Sequence, residues 1–266
     1  MIANNKKNRG DKRRMTRVGK TAETILGAIF PTDIYCICCG SIIDSTRTYS
    51  MCDSCIRRIS WIGENTCKKC GKPMSSDDPY ELCYDCRSME RNFDQGYTCC
   101  LYDIYARAVV MDLKYRDKSY LGRIIGDILA DRMEAEMCIW DLVIPVPISK
   151  DRMERRGYNQ AALIAERFAE RVELSFDGSL LVRTGKTKAM KDLDAMQRRL
   201  NIKGAFEVAK GKAEIVESKK CLVVDDIFTT GATLDECARL LKSAGAARVD
   251  VLTFAAGRNY VPGSAE

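Results

Sequence analysis

The segment from Cys221 to Leu234 constrains the fold of this chain more than any other. It begins with four apolar residues, Cys221 to Val224, as is typical of a buried parallel strand. This apolar run ends in two carboxylates, Asp225 and Asp226. A short loop of small residues follows, and from Leu234 apolar residues recur at three- and four-residue steps, which indicates a helix. The sequence therefore predicts a strand, an acidic pair, a loop and a helix in direct succession.

Each of these parts suits a phosphorylated sugar. The loop consists of Thr229, Thr230, Gly231, Ala232 and Thr233. Its backbone amides and those of the first helical turn can bind a phosphate dianion, and its three hydroxyl groups add donors. Asp225 and Asp226 can accept hydrogen bonds from vicinal ribose hydroxyls. The alternative is an ordinary strand-to-helix corner with a capping threonine and a tight glycine.

The stretch from Val223 to Thr233 resembles the phosphoribosyl-pyrophosphate (PRPP) motif of the phosphoribosyltransferases. A Walker B strand of a P-loop NTPase looks similar, but it requires a Gly-x4-Gly-Lys-Ser/Thr loop elsewhere in the chain. The tail of that loop pattern occurs at 19–21 and at 185–187, but its first glycine is replaced by Arg14 and by Leu180. We therefore exclude an NTPase of this class.

Eight of the fourteen cysteines form two copies of one pattern. The copies are Cys36-x2-Cys39 with Cys52-x2-Cys55, and Cys67-x2-Cys70 with Cys83-x2-Cys86. Each Cys-x2-Cys turn can direct two thiolates at one ion, and two such turns complete a tetrahedral site. We therefore predict a tandem zinc ribbon that holds up to two structural Zn²⁺ ions. Disulfides, a redox pair, iron, and ligand sets interleaved between the copies are the alternatives.

The remaining sequence alternates between strand and helix patterns. Strands are predicted at Tyr97–Tyr105, Asp141–Val146, Leu180–Thr184 and Arg248–Ala255, and helices at Ala106–Lys114, Tyr120–Met137 and Gly157–Arg171. This alternation predicts a mostly parallel sheet flanked by helices. Ligands of such sheets bind at the carboxyl ends of the strands. The loop after Pro147 carries Lys150, Arg155 and Arg156, and we expect these cations at the same edge as the acidic pair.

The net charge of +6 is concentrated at one end of the chain. Residues 1–20 contain eight Lys or Arg and one Asp, a charge of +7, so the remainder carries −1. We predict a basic disordered tail that suits nucleic-acid phosphates, although such a tail can also serve solubility alone. The chain has no histidine, so acid–base chemistry would fall to groups such as Asp, Glu or Lys.

The sequence predicts four regions. These are the basic tail at 1–20, a helix plus the two ribbons at 21–92, a phosphoribosyltransferase-like domain at 93–258, and a tail at 259–266. No apolar run approaches the roughly 20 residues that span a bilayer, and the N-terminus lacks a signal-peptide core. We therefore expect a cytoplasmic protein without membrane insertion.

Over residues 31–256 the chain resembles the ComF/ComFC family of competence-associated phosphoribosyltransferase-like proteins. The shared motifs, in order, are the Cys-x2-Cys-Gly knuckles, Leu113–Tyr115, Pro145–Pro147, Arg156–Gln160, Arg198–Phe206 and Asp225–Thr233. The resemblance implies a type I phosphoribosyltransferase fold with an N-terminal zinc ribbon and a link to DNA uptake. It also places the pyrophosphate loop after Pro147 and the flexible flap at 184–204. Met190 stands where the family often has Gln.

Two functions follow from these motifs. In the first, the protein is a transferase that binds PRPP with Mg²⁺, using Thr229–Thr233 for the 5-phosphate, Asp225 and Asp226 for the ribose, and the cationic loop for pyrophosphate. In the second, it is a non-catalytic accessory protein that binds single-stranded DNA or senses PRPP or a nucleotide. Aromatic residues such as Trp61, Tyr80 or Tyr84 would then help hold the DNA, or would simply pack around the metal sites. We favour a PRPP-binding pocket in a protein that acts, with competence proteins, in DNA uptake.

Overall fold

The computed structural model describes residues 34–76, 78–134, 140–185 and 202–258. The predicted basic tail, most of the predicted flap and the C-terminal tail lie outside these residues. The chain divides into two compact units between Cys52 and Asp53. The boundary predicted between residues 92 and 93 stays a prediction.

The first unit contains Cys36, Cys39 and Cys52 of the first copy of the cysteine repeat. Tyr35 and Ile42 form an isolated antiparallel bridge around the first Cys-x2-Cys turn. Within that turn the amide of Gly40 donates to the carbonyl of Cys36 at 2.8 Å. A single 3-10 turn, Thr48–Ser50, precedes Cys52.

The second unit is built on a five-stranded, fully parallel sheet with the strand order β1-β7-β6-β2-β3. The strands of this sheet are β1 (Gly96–Leu101), β2 (Leu142–Pro145), β3 (Ser175–Phe176), β6 (Lys220–Phe228) and β7 (Arg248–Ala256). Two further strands, β4 (Leu181–Arg183) and β5 (Phe206–Val208), form a separate sheet. The α-helices are α1 (Asp53–Arg58), α2 (Tyr84–Ser88), α3 (Ile104–Tyr115), α4 (Leu121–Met133), α5 (Lys150–Arg156), α6 (Gln160–Arg171) and α7 (Ala232–Ser243). The prediction of a mostly parallel sheet flanked by helices is confirmed.

The centre of the sheet is buried on both faces. Val223 and Val224 of β6 and Val251 and Leu252 of β7 are fully buried, although consecutive side chains point to opposite faces. Helices on both sides of a parallel sheet cause this burial, which is why these strands are continuous apolar runs.

Three predicted elements have different ends or partners in the structure. Strand β1 ends at Leu101 instead of Tyr105, because the Asp103 carboxylate caps α3 by accepting from the amides of Tyr105 and Ala106. The predicted strand at 180–184 forms β4, but it pairs antiparallel with β5 in a separate two-stranded sheet. The cation-rich segment predicted as a loop is the short helix α5.

Within the described ranges, no helix combines the length and the apolar composition that crossing a membrane requires.

Candidate phosphoribosyl site and zinc centres

Strands β2 and β6 bring two chain segments to one edge of the sheet. Their register pairs Pro145 with Val224, so the segment after β2 and the segment after β6 leave the sheet together. Strand β6 continues beyond the acidic pair to Phe228, because β7 supplies partners as far as Ala256. Asp225 and Asp226 therefore lie within a paired strand, at the edge where β2 ends.

Asp226 is a buried acid with a cationic partner. Its residue is only 3% exposed, and its Oδ2 forms an ion pair with Nζ of Lys114, in the last turn of α3. Burial raises the pKa of the Asp226 carboxyl, but the Lys114 ammonium outweighs burial and brings the pKa below its ordinary value. The same contact raises the pKa of Lys114 in spite of its burial. Asp226 is therefore an ionised carboxylate with a fixed partner.

Asp225 has the opposite electrostatic character. Burial of its carboxyl and then the negative charge of Asp226 raise its pKa well above the ordinary value. The amide of Asp226 donates to Oδ1 of Asp225 at 2.8 Å and fixes the side chain. The two acids therefore ionise unequally, and Asp225 keeps its proton to a higher pH than Asp226.

The predicted phosphate loop is a tight turn into α7. Gly231 has a φ of 75° and immediately precedes the helix, whose N-cap has no side-chain hydrogen bond. A Cβ at Gly231 would lie 2.4 Å from Cζ of Phe228, so only glycine fits there. Thr229 is exposed, and Thr230 accepts a long hydrogen bond of 3.4 Å from the amide of Ala232. The start of α7 thus presents amides and threonine hydroxyls with little internal competition.

The first turn of α7 also contains a buried acid, Asp235, which is already satisfied. Asn92 donates to it twice, from its backbone amide at 2.7 Å and from Nδ2 at 3.0 Å. A carboxylate in the first turn stabilises the helix dipole. Asn92 thus anchors the helix that starts at the phosphate loop.

The structure brings one of the three predicted pyrophosphate cations to the acidic pair. Arg156 is half-buried, its guanidinium lies 5.5 Å from the Tyr115 ring centroid, and its charge contributes to the low pKa of Asp226. Lys150 and Arg155 are exposed on α5, and Nε of Arg155 donates back to the carbonyl of Asp151 at 3.2 Å. No contact joins Lys150 or Arg155 to the acids among the described residues.

A further cation near the acids, Arg183 on β4, was not predicted. Burial lowers its pKa, the charge of Arg152 lowers it further, and the charge of Asp225 opposes both effects. Its guanidinium lies 5.3 Å from the Phe206 ring centroid. The antiparallel hairpin β4–β5 therefore holds a second arginine within electrostatic reach of the site.

The Arg156–Gln160 motif holds the site together mechanically. Tyr158 donates its hydroxyl proton to the carbonyl of Leu113, next to Lys114. Asn159 caps α6 and donates from Nδ2 to the carbonyl of Val146 at 3.0 Å. The motif thus ties α3 and the exit of β2 to the start of α6.

The second cysteine set forms a closed metal site. Cys67, Cys70, Cys83 and Cys86 are buried, and their Sγ atoms lie within 4.8 Å of one another. Sγ of Cys70 is 3.7 Å from Sγ of Cys83. A tetrahedral Zn²⁺ with Zn–S bonds of about 2.3 Å separates its sulfur atoms by about 3.8 Å, so the set fits zinc. The amide of Cys83 points at Sγ of Cys67 at 3.3 Å, as expected for a thiolate acceptor.

The first cysteine set has the same geometry. The Sγ atoms of Cys36, Cys39, Cys52 and Cys55 also lie within 4.8 Å of one another. Sγ of Cys39 is 3.8 Å from Sγ of Cys52, and the amide of Cys52 points at Sγ of Cys36 at 3.3 Å. Ligands are grouped within each copy and not between copies, and no disulfide occurs among the described cysteines.

Two family models match this chain in succession. Residues 25–87 match the double zinc ribbon domain, and residues 153–262 match the phosphoribosyl transferase domain. The two matches correspond to the cysteine sets and to the part of the sheet that includes the acidic pair.

Curated relatives match this chain over nearly their full length. Competence protein F of Haemophilus influenzae is 26% identical over 222 residues, which is 81% of this chain and 94% of the relative. Competence protein ComFC of Streptococcus pneumoniae is 26% identical, over 82% of this chain and 97% of the relative. The chain is therefore similar to these competence proteins over most of its length. The DNA utilization protein YhgH of Escherichia coli O157:H7 is also similar to the chain, with 27% identity over 76% of the chain and 88% of the relative.

Solved phosphoribosyltransferases also resemble the chain, but weakly. Adenine phosphoribosyltransferase from Thermoanaerobacter pseudethanolicus has 18% sequence identity and a TM-score of 0.36, covering 55% of this chain and 72% of that enzyme. At this score the similarity adds nothing to the assignment, which rests on the family models and the curated relatives.

Lys114 is the principal site residue for which the sequence predicted no role. It belongs to the Leu113–Tyr115 motif, but its partner Asp226 lies 112 positions later in the sequence. The motif marked Lys114 as a residue shared with the family, but it did not predict which residue Lys114 contacts. The flap residues from Lys186 to Asn201, including Met190, lie outside the described residues.

Proposed function

We propose that this protein binds PRPP with Mg²⁺ at the β6–α7 loop and acts in DNA uptake. The observation that carries the ligand is the acidic pair Asp225 and Asp226, with Asp226 ion-paired to Lys114, in the strand that leads through the Gly231 turn into α7. The names of the relatives, which concern competence and DNA utilization, support the cellular role.

The 5-phosphate of PRPP binds to the loop Thr229–Thr233. The amides at the start of α7 supply donors, and Gly231 leaves room for close approach of the backbone. The hydroxyls of the threonines add further donors. A phosphate dianion there is also stabilised by the positive end of the helix dipole.

The ribose hydroxyls bind to the acidic pair. Ionised Asp226 accepts one hydrogen bond, and Lys114 keeps the buried charge of Asp226 compensated. Asp225 donates a hydrogen bond to a ribose hydroxyl when it is protonated and accepts one when it is ionised. Since the chain has no histidine, the raised pKa of Asp225 also makes it the group at this edge that suits proton transfer.

The pyrophosphate group binds to cations on α5. Arg156 lies nearest to the acids, and Lys150 and Arg155 reach the group from the exposed face of α5. Mg²⁺ enters with PRPP and, when bound, neutralises charge on the leaving pyrophosphate. Transfer to an acceptor breaks the C1–O bond, and the nearby carboxylates stabilise the oxocarbenium character of the transition state.

Calorimetric titration with PRPP and Mg²⁺ tests this proposal. We expect saturable 1:1 binding by the native chain and at least a tenfold loss of affinity in the Asp225→Asn/Asp226→Asn variant. Lys210→Met, at an exposed lysine in the turn after β5, is the surface control. Native affinity in the double variant would reject the roles of the acids. Pyrophosphate release with candidate acceptors then shows whether bound PRPP turns over.

A second function, non-catalytic binding of single-stranded DNA, is favoured by exposed aromatic residues near the ribbons. Trp61, Tyr80 and Tyr84 are 38%, 54% and 42% exposed. However, Arg87 already lies 3.7 Å from the Tyr80 ring centroid, and Nε1 of Trp61 donates to the carbonyl of Ile56. The salt dependence of DNA binding, measured for the native chain and for a chain lacking residues 1–20, distinguishes affinity that comes from the basic tail from affinity that comes from the exposed aromatic residues. An unchanged salt slope would exclude the basic tail as the phosphate contact.

A further inference from the structure

Lys72 is a buried cation two residues after the zinc ligand Cys70. The residue is 3% exposed, and its Nζ lies 3.2 Å from Oδ2 of Asp85. Asp85 stands on α2 between the ligands Cys83 and Cys86. The carbonyl of Lys72 accepts from the amide of Cys67 at 2.8 Å, so both its backbone and its side chain are tied to the second zinc knuckle.

The other side of the Lys72 ammonium faces the phosphate loop. Its Nζ lies 5.4 Å from the Phe228 ring centroid, within cation–π distance. Phe228 is 1% exposed and makes an edge-to-face contact with Phe93, at a centroid distance of 6.2 Å. The Phe228 ring in turn fills the space where a side chain at Gly231 would lie. Lys72 thus contacts the ring that shapes the turn into α7.

A cation is costly to bury, and a structural site does not require one at this position. A four-thiolate Zn²⁺ centre carries a net charge of −2, and it lies in the same core as Phe93, Phe228 and Leu234. Lys72 compensates negative charge on the knuckle side and meets the negative face of an aromatic ring on the other. This pairing makes the position of Phe228 depend on the knuckle.

We propose that Lys72 is a positioning residue that couples the second zinc knuckle to the conformation of the phosphate loop. The coupling runs from Asp85 through Lys72 and Phe228 to Gly231. Its consequence for ligand affinity rests on the proposed function, whereas its consequence for the loop itself does not.

The test compares Lys72→Met with native protein by hydrogen exchange of the Asp235 amide, measured without ligand. This amide donates to the carbonyl of Gly231 at 2.8 Å, so its exchange reports opening of the turn. Met keeps the length and apolar stem of the side chain and removes the charge. Removal of a buried cation–π contact corresponds to about three- to tenfold faster exchange at this amide. We expect unchanged zinc content and unchanged exchange in β7, together with a PRPP dissociation constant raised by a similar factor.

Three further variants sharpen the test. Lys72→Arg retains the charge and the aromatic contact, and we expect it to restore native exchange at the loop. Asp85→Asn removes the charged partner of Lys72 on the knuckle side, and exchange at the loop should become faster, as in Lys72→Met. This second variant keeps the test decisive if Lys72→Met folds poorly. Lys68→Met, at an exposed lysine of the same turn, should leave the loop unchanged.

Native exchange at the loop in Lys72→Met would overturn the proposal. Zinc loss from that variant, or faster exchange of equal size throughout the sheet, would also overturn it, since Lys72 would then be a general stabilising residue. If the native protein fails to bind PRPP, the proposed function fails, but the exchange comparison still decides the coupling.

Discussion

At the scale of single residues, two neighbouring carboxyl groups in one strand have opposite roles because of one distant lysine. Lys114 holds Asp226 in its ionised form, and burial together with the charge of Asp226 keeps Asp225 protonated to a higher pH. Sequence analysis predicted both acids as site residues. It could not predict their inequality, which arises from a contact between α3 and β6.

Replacing Lys114 by Met should destabilise the protein by about 3 to 5 kcal/mol at pH 7, because a buried carboxylate loses its partner. Urea denaturation measures the change. Lys118→Met is the control, with an expected cost of about 0.2 to 1 kcal/mol, since Lys118 is 40% exposed and Asp112 keeps Arg116 as a second partner. The Lys114→Met/Asp226→Asn double variant should recover part of the loss. A Lys114→Met chain as stable as the control would contradict the ion pair.

Replacing Asp225 by Asn should stabilise the unliganded protein at pH 7, by about 0.5 to 2 kcal/mol. The pKa of Asp225 is higher in the folded than in the unfolded state, so its ionisation costs stability as the pH rises above the unfolded value. Asn imitates the protonated acid and removes this cost. Denaturation between pH 3 and pH 7 should show the gain at pH 7 and its disappearance below about pH 4. If the Asn variant is instead less stable than the native protein at pH 7, ionisation of Asp225 does not cost the folded state stability.

At the scale of secondary-structure elements, the predictions succeeded where the pattern was long or apolar. The apolar run of β6 and the amphipathic helix α6 have the predicted type and place. Helix α5 was predicted as a loop because its seven residues are mostly charged and none is buried, so they carry no apolar periodicity. Strand β3 has two residues, too few for any alternation to be recognised.

The turn from β6 into α7 should tolerate no side chain at Gly231. Gly231→Ala combines a left-handed backbone with a Cβ that would contact the Phe228 ring, and we expect a loss of about 2 to 4 kcal/mol in stability together with loss of PRPP binding. Gly211 has a similar φ of 78° with open space around it, so Gly211→Ala should lose only about 1 to 2 kcal/mol and keep the affinity. Equal effects of the two variants, measured by denaturation and calorimetry, would show that the Phe228 contact is irrelevant.

At the scale of the whole molecule, the second zinc ribbon is part of the phosphoribosyltransferase-like core. Its four cysteines belong to the same buried cluster as Val223, Phe228 and Val251. Their spacing predicted the metal ligands correctly in type and grouping, but spacing cannot show what a knuckle packs against. The amide of Gly96, the first residue of β1, donates to the carbonyl of Lys69 at 2.8 Å, so the sheet begins where the knuckle ends.

Loss of the second zinc should therefore unfold more than the ribbon. Cys83→Ser should reduce the zinc content from two ions to one per chain and lower the main thermal transition by about 10 °C or more. Cys99→Ser, at a buried cysteine outside both sulfur sets, should keep two zinc ions and lose less stability. A Cys83→Ser chain whose sheet melts at the native temperature, by circular dichroism, would contradict a shared core.

The two copies of the cysteine repeat face unequal constraints on future change. Gly71 and Gly96 touch backbone to backbone, and a methyl group on Gly71 would lie 2.4 Å from the carbonyl oxygen of Gly96, whereas the equivalent Gly40 has no described atom within 4 Å of such a methyl group. Duplicated segments begin with the same sequence. Here the packing permits substitution of the glycine in the earlier copy and prevents it in the later copy. Comparison of many descendants should therefore find asparagine or other residues at position 40 long before any substitute at position 71.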